Sequence, residues 1–133
     1  MRQLLKNLFS PRQKPVDVSG LIIAARVIKI EKHPNADRLR MVYLNDGKQD
    51  LGPIVCGAFN FGVGDMVVLA LPGAKIKQNI HSAEHESFTL GKAKIRGIES
   101  NGMICAAFEL GLSQEPGEGI MMLSPSTQPG SSV

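Results

Sequence analysis

The sequence is poor in aromatic residues: it has no tryptophan, one tyrosine and five phenylalanines. Proteins that read single-stranded nucleic acid stack bases on exposed rings, so this scarcity disfavours that class. There are only two cysteines, both in apolar segments, which indicates buried thiols rather than a disulfide framework. No apolar run approaches the roughly 18 residues that span a bilayer, so we expect a cytoplasmic protein without a membrane partner.

Residues with catalytic potential are also few. The segment His81–His85 matches H-x-x-E-H, in which two histidines bind zinc and a glutamate activates water. That site requires a helix and a distant third ligand, whereas this segment follows Asn79 and precedes a strand-like stretch. We therefore expect a polar loop over residues 78–87, with no metal, no cofactor and no catalysis in the chain itself.

What the sequence does contain is a series of short apolar stretches separated by glycine, proline, asparagine and aspartate. This pattern predicts an all-β fold. The expected strands cover Leu21–Lys32, Leu39–Tyr43, Ile54–Cys56, Met66–Leu71, Phe88–Ile98, Met103–Ala106 and Ile120–Leu123. The first is long and its apolar residues do not keep to one face, which predicts a bulge midway.

The number and length of these strands favour a closed, five-stranded Greek-key barrel with extra short strands. One short helical turn is expected, ending at Glu109–Leu112. We place the barrel in residues 18–124. Residues 1–17 form a basic N-terminal extension that suits a short helix, and residues 125–133, rich in serine and proline, form a flexible tail.

Charge is unevenly distributed along the chain. Residues 1–15 contain four basic residues and no acid, whereas every charged residue from Ser100 onward is acidic. Residues 26–40 and 75–99 each contain five basic residues, against two and three acids respectively. A folded chain with this pattern can present a basic face to a polyanion, although a solvated mixed surface remains an alternative.

Two stretches are more specific. Residues 31–39, EKHPNADRL, and residues 92–105, KAKIRGIESNGMIC, closely resemble the two hallmark segments of the tRNA-binding domain family. The intervening IVCGA and ALPGA match that family in the same order, and the resemblance covers residues 18–130. It is closest to the tRNA-binding domain near the N-terminus of the bacterial phenylalanyl-tRNA synthetase β-subunit.

The resemblance implies an oligonucleotide-binding (OB) fold that recognises folded tRNA by its backbone and shape. The RNA-binding residues that it implies are Lys92, Lys94, Arg96, Ser100, Asn101, Met103, Lys32 and Arg38. Lys92, Lys94 and Arg96 alternate with apolar residues, so we expect them to share one strand face. His33 and Asp37 are expected to form a structural turn.

Several alternatives stay open. The chain resembles either a domain of a larger synthetase, whose parent would be a phenylalanine-tRNA ligase using ATP and magnesium, or a stand-alone homodimeric tRNA-binding protein. A structural module is a further alternative, packing against the synthetase α-subunit or other β-subunit domains. A peptide-binding chaperone on the same barrel is less consistent with HPNADRL. The acids Glu84 and Glu86 are expected to lie near the basic strand and weaken RNA binding.

Overall fold

A computed structural model describes residues 20–115, 117 and 119–133 of the chain. Within these residues the fold is all β, as predicted, and every pair of adjacent strands is antiparallel. The strands are β1 (Ile22–Lys32), β2 (Arg40–Asn45), β3 (Asp50–Cys56), β4 (Met66–Ala70), β5 (Lys75–Ile76), β6 (Phe88–Thr89), β7 (Ala93–Ile95), β8 (Ile98–Ser100), β9 (Met103–Ile104) and β10 (Met122–Leu123). The predicted basic extension, residues 1–17, lies outside the described residues.

The main sheet has the strand order β10, β4, β1, β2, β3, with β9 also paired to β4. Its longest strand, β1, pairs with β4 over its first half and with β2 over its second half. The register shifts between Val27 and Lys29, so the predicted bulge is confirmed. A bulge at this point increases the local twist and lets one strand belong to both sides of a curved sheet.

The curved sheet encloses the main core. Its buried side chains include Val27, Val42, Leu44, Ile54, Val67, Leu69 and Ile104. A second apolar cluster lies on the other face of β4 and includes Ile22, Val68, Ile76, Cys105 and Leu110. Because both faces of β4 are covered, all five of its residues are buried, which explains its continuous apolar sequence.

This sheet fits an OB-fold, but the prediction of a closed barrel was wrong. No backbone ladder joins β3 to the strands that follow β4 in the described part of the chain. The seam is bridged instead by a side chain: the Val55 amide donates a hydrogen bond to Ser100 Oγ at 3.0 Å. Gly102 also fits into the seam, since a Cβ there would lie 2.7 Å from the Ala70 carbonyl oxygen.

Residues 71–100 form what we call the hairpin arm, which contains the two small sheets β5–β6 and β7–β8. The single strand expected over Phe88–Ile98 is wrong, because the chain reverses direction at Arg96 and Gly97. Both residues have positive φ, 53° and 89°, as in the type I′ turns that join tight hairpins. Arg96 therefore belongs to a turn, so its side chain does not continue the alternation of Lys92 and Lys94.

The helical turn expected to end at Glu109–Leu112 was also wrong. Residues 106–111 form successive turns with hydrogen bonds from an amide to the carbonyl three residues earlier, and no helix is assigned in the residues that the structure describes. Gly111, at φ 77°, ends the run. No described helix is therefore long and apolar enough to cross a membrane.

The C-terminal residues, predicted as a flexible tail, contact β1. Gly130 donates a backbone hydrogen bond to Ala24, and Ala24 donates one to Ser131. Val133 donates another to Ile22, and Ser132 forms an isolated antiparallel bridge with Ile23. These bonds satisfy backbone groups at the start of β1, before its pairing with β2 begins at Arg26.

Candidate nucleic-acid interface

The two segments singled out in the sequence meet in space at one junction. His33 is buried, and its Nε2 lies 3.0 Å from the carbonyl oxygen of Ile95. Its Nδ1 accepts a hydrogen bond from the Asn35 amide, so Nε2 carries the proton and donates to Ile95. Asn35 Nδ2 donates to the carbonyl oxygen of Arg96 at 2.9 Å. The turn that follows β1 therefore holds the β7–β8 hairpin in place.

Four exposed cations flank this junction, and we call them the cationic end: Lys32, Arg38, Lys94 and Arg96. Lys32 immediately precedes His33, and Arg38 lies three residues beyond Asn35. Arg96 is placed beside the same turn by the hydrogen bond to its carbonyl. The hydrogen bonds of the junction join residues 62 and 61 positions apart, so the fold brings cations from two distant segments to the same junction.

Acidic residues are present nearby, but they form no ion pair with these cations. Lys94 stands opposite Glu99 in the β7–β8 ladder, and Asp37 is exposed in the turn after β1. The only ion pair among the described residues joins Lys29 to Glu31 at 3.5 Å. The four ammonium and guanidinium groups of the cationic end are thus free of ion pairs with described carboxylates, although they remain partly compensated by the field of Asp37 and Glu99.

The other four predicted site residues differ in exposure. Lys92 is exposed just before β7. Ser100 is only 2% exposed, and its hydroxyl accepts from the Val55 amide and donates to the Gly102 carbonyl. Asn101 is half-buried, with an unpartnered buried Oδ1, and Met103 is half-buried in β9. The Ser100 hydroxyl therefore bridges the seam by linking the Val55 amide to the Gly102 carbonyl.

A cavity of about 680 Å³ lies between the end of β3 and the hairpin arm. Its lining is mainly apolar and includes Val55, Ala93, Ile95 and Met103. Since Ala93 and Ile95 line it, Lys94 must lie on the opposite, outer face of β7. The lining polar groups include Glu109, a buried carboxylate whose Oε1 accepts from the Ala106 amide at 2.8 Å.

Burial shifts the pKa of three titratable groups in and around this cavity. Burial raises the pKa of Glu109 above its ordinary value, against the opposing effects of the Ala106 hydrogen bond and the nearby His81. Burial likewise raises the pKa of Cys56 and of Cys105, so both thiols stay protonated and are poor nucleophiles. Both cysteines are free and buried, as the sequence predicted.

The loop 78–87 does not form a helix. His81 is exposed, whereas His85 packs its ring edge against Phe108 with 4.9 Å between centroids. Glu86 is exposed, and a hydrogen bond from Ser82 lowers its pKa. These residues form a surface loop.

Sequence reasoning missed a cluster at the start of β2. The Arg40 guanidinium lies over the rings of Phe59 and Phe61, 4.6 and 4.7 Å from their centroids. Its NH2 group donates to the carbonyl oxygens of Ala58 and Phe61. Phe61 is buried, whereas Phe59 is 56% exposed. No sequence signal distinguishes these two rings, which are two residues apart in one loop.

The family described as "Putative tRNA binding domain" matches residues 22–132. The chain is 42% identical over 112 residues to a phenylalanine-tRNA ligase beta subunit of Syntrophotalea carbinolica, a match covering 84% of this chain and 13% of that protein. It is 50% identical over 92 residues to a protein of the same name from Chlamydia abortus, covering 69% and 11%. Part of an RNA ligase from Naegleria gruberi has a similar fold, with a TM-score of 0.52 and 18% identity, covering 77% of this chain and 32% of that one.

Proposed function

Because the chain belongs to the family of tRNA-binding domains and is homologous to part of phenylalanine-tRNA ligase beta subunits, we propose that it binds folded tRNA through the cationic end. The observation that carries this proposal is the junction of His33 and Asn35 with the β7–β8 hairpin. In the proposal it groups Lys32, Arg38, Lys94 and Arg96 at one end of the curved sheet, with no ion pair to a described carboxylate.

Binding of this kind is electrostatic and sensitive to shape. Lysine and arginine side chains on a rigid surface contact phosphates and release counterions. These contacts supply affinity that does not depend on the base sequence. In the proposal Lys92 joins the four cations of the cationic end as a further phosphate contact. Ser100 is buried, so in the proposal it positions the hairpin, whereas the half-buried Asn101 and Met103 are proposed RNA contacts.

The chain spans about an eighth of the length of the curated relatives that it matches. We propose that it serves as the tRNA-binding part of a phenylalanine-tRNA ligase in the cytoplasm. The ATP and magnesium of aminoacylation would be used by other domains of that enzyme, and the α-subunit or other β-subunit domains would be its protein partners. If the chain instead acts alone, we propose that it binds tRNA as a homodimer.

A tRNA titration at several salt concentrations tests the cationic end. The variant Lys94→Gln/Arg96→Gln removes two cations while keeping side chains of similar polarity. Its affinity should fall, and the slope of log K against log salt should become shallower by about two.

Lys48→Gln/Lys75→Gln is the matched control, because it removes two exposed cations outside the cationic end. Lys48 lies in the turn at the far end of β2 from Arg40. Equal slopes for the two double variants would reject the cationic end as the tRNA site.

A second candidate function is a structural module within a synthetase. The exposed apolar residues Ile28, Val63, Leu112 and Met122 favour it, being 39%, 64%, 51% and 41% exposed. Isolated exposed apolar residues are common, so this candidate requires that they form one patch. Wild-type protein that fails to bind tRNA at low salt but associates with a synthetase subunit would favour it.

A further inference from the structure

The Arg40 guanidinium packs against one face of the exposed Phe59 ring. Arg40 is the first residue of β2, where it pairs with Lys32 of β1 and Cys56 of β3. Its guanidinium donates hydrogen bonds to Ala58 and Phe61, the residues on either side of the Phe59–Asn60 pair, at 3.0 and 3.1 Å. The same guanidinium lies against one face of the Phe59 ring.

This arrangement holds the ring without burying it. A guanidinium over an aromatic face is attracted by the ring quadrupole, and here the cation is itself held by two carbonyl oxygens. More than half of Phe59 remains exposed, so the part of the ring away from Arg40 faces solvent. An aromatic side chain that is already ordered loses little entropy when a second flat group stacks on it.

The surroundings fit a nucleotide. Lys32 is the cross-strand partner of Arg40, and Arg38 lies two residues before it, and both are exposed. An aromatic face beside exposed cations offers stacking to a base and contacts to its phosphates, which is how proteins bind unpaired nucleotides. The side chain of the next residue, Asn60, is bonded to the backbone of Ile120 and does not compete for the ring.

We propose that Phe59 stacks on an unpaired base of the bound RNA, with Lys32 and Arg38 contacting the adjacent phosphates. This inference rests on the proposed function, since it requires that the partner is RNA. The stacking contact means that the domain recognises an unpaired nucleotide of a folded RNA. Fully paired RNA cannot make this contact with Phe59.

The absence of tryptophan in the chain provides a direct test. Phe59→Trp introduces a single tryptophan, and stacking on a base should quench its fluorescence when tRNA is added. Val63→Trp is the matched control, because Val63 is an exposed residue of the same loop that lacks the Arg40 contact. A fully duplex RNA of similar length should quench neither variant strongly.

Affinity provides the second measurement. Phe59→Leu should weaken tRNA binding by roughly 5- to 150-fold, the range for loss of one stacked base. It should leave the salt slope unchanged, because no cation is lost, and leave duplex RNA binding unchanged. Thermal unfolding of each variant checks that the fold is retained.

The outcomes separate this inference from the function on which it rests. If the wild type binds tRNA, but Phe59→Leu binds equally well and Phe59→Trp is not quenched, the stacking site is rejected and the cationic end stands. If the wild type does not bind tRNA at low salt, both are rejected. Fluorescence of Phe59→Trp that changes with protein concentration and not with RNA identifies Phe59 as a protein contact, which also rejects the proposal.

Discussion

The curved main sheet and the hairpin arm are held together in different ways. In the sheet, the four long strands β1 to β4, of five to eleven residues, enclose a continuous apolar core. In the arm, strands have only two or three residues, and half of the side chains of β7 and β8 are exposed. The β7–β8 hairpin is instead attached by hydrogen bonds that His33, Asn35 and the Val55 amide donate to it. Stability therefore comes mainly from burial in the sheet, and the placement of Lys94 and Arg96 comes from polar contacts.

The largest effect is expected from a core residue of the sheet. Leu69 is fully buried in β4, so Leu69→Ala should lower the free energy of unfolding by about 2–5 kcal/mol, measured by urea denaturation. Leu112→Ala makes the same chemical change at a residue that is 51% exposed and should cost less than about 0.5 kcal/mol. Similar losses for both variants would contradict the assignment of the core.

The seam should be the next most sensitive position. Ser100→Ala removes the acceptor of the buried Val55 amide and the donor to Gly102, which should cost about 1–3 kcal/mol. Hydrogen exchange should show faster exchange at the Val55 amide than in the wild type. Ser87→Ala, at an exposed serine, is the control and should leave both measurements unchanged.

A smaller effect on stability, with a larger effect on binding, is expected from the junction. Asn35→Ala loses the hydrogen bond to the Arg96 carbonyl. Because this bond is exposed to solvent, the free energy of unfolding should fall by only about 0.5–1.5 kcal/mol. Because the hairpin loses an anchor, tRNA affinity should fall. Asn45→Ala is the control, since it loses exposed bonds with Asp50 and with the Gly47 amide in the β2–β3 turn and should bind tRNA normally.

The smallest effect concerns Glu109 and depends on pH. Burial raises its folded-state pKa, so above its ordinary value of 4.5 the folded chain holds a proton that the unfolded chain has lost. Glu109 thus makes stability fall as pH rises through that window. Glu109→Gln keeps the acceptor for Ala106 and does not titrate, so in urea denaturation its stability relative to wild type should increase as the pH rises above 4.5. A constant difference across that range would rule out a raised pKa.

The sheet was more predictable from sequence than the arm for physical reasons. The bulge in β1 could be predicted because the apolar residues of this strand do not stay on one face. The turn after β2 could be predicted from Asp46, whose Oδ1 accepts hydrogen bonds from the amides of Lys48 and Gln49. Both are local patterns. The bond between His33 and Ile95 joins residues 62 positions apart, and nothing in either segment specifies its partner.

The same limit applies to the candidate site. The cations were identifiable by residue type, but their grouping depends on the Arg96–Gly97 turn, which the alternation of Lys92, Ala93, Lys94 and Ile95 conceals. Ser100 could not be recognised as a seam residue from sequence. The role of Phe59 was missed because a count of aromatics does not show which of two neighbouring rings is exposed.

The positive φ of Arg96 has a consequence for mutational libraries. At this position glycine, asparagine and aspartate tolerate the backbone best, whereas β-branched residues tolerate it worst. Selection for thermal resistance alone should therefore enrich glycine or asparagine at residue 96. Selection for RNA capture should retain arginine or lysine despite the conformational cost, so the two enrichment profiles should diverge most at this codon.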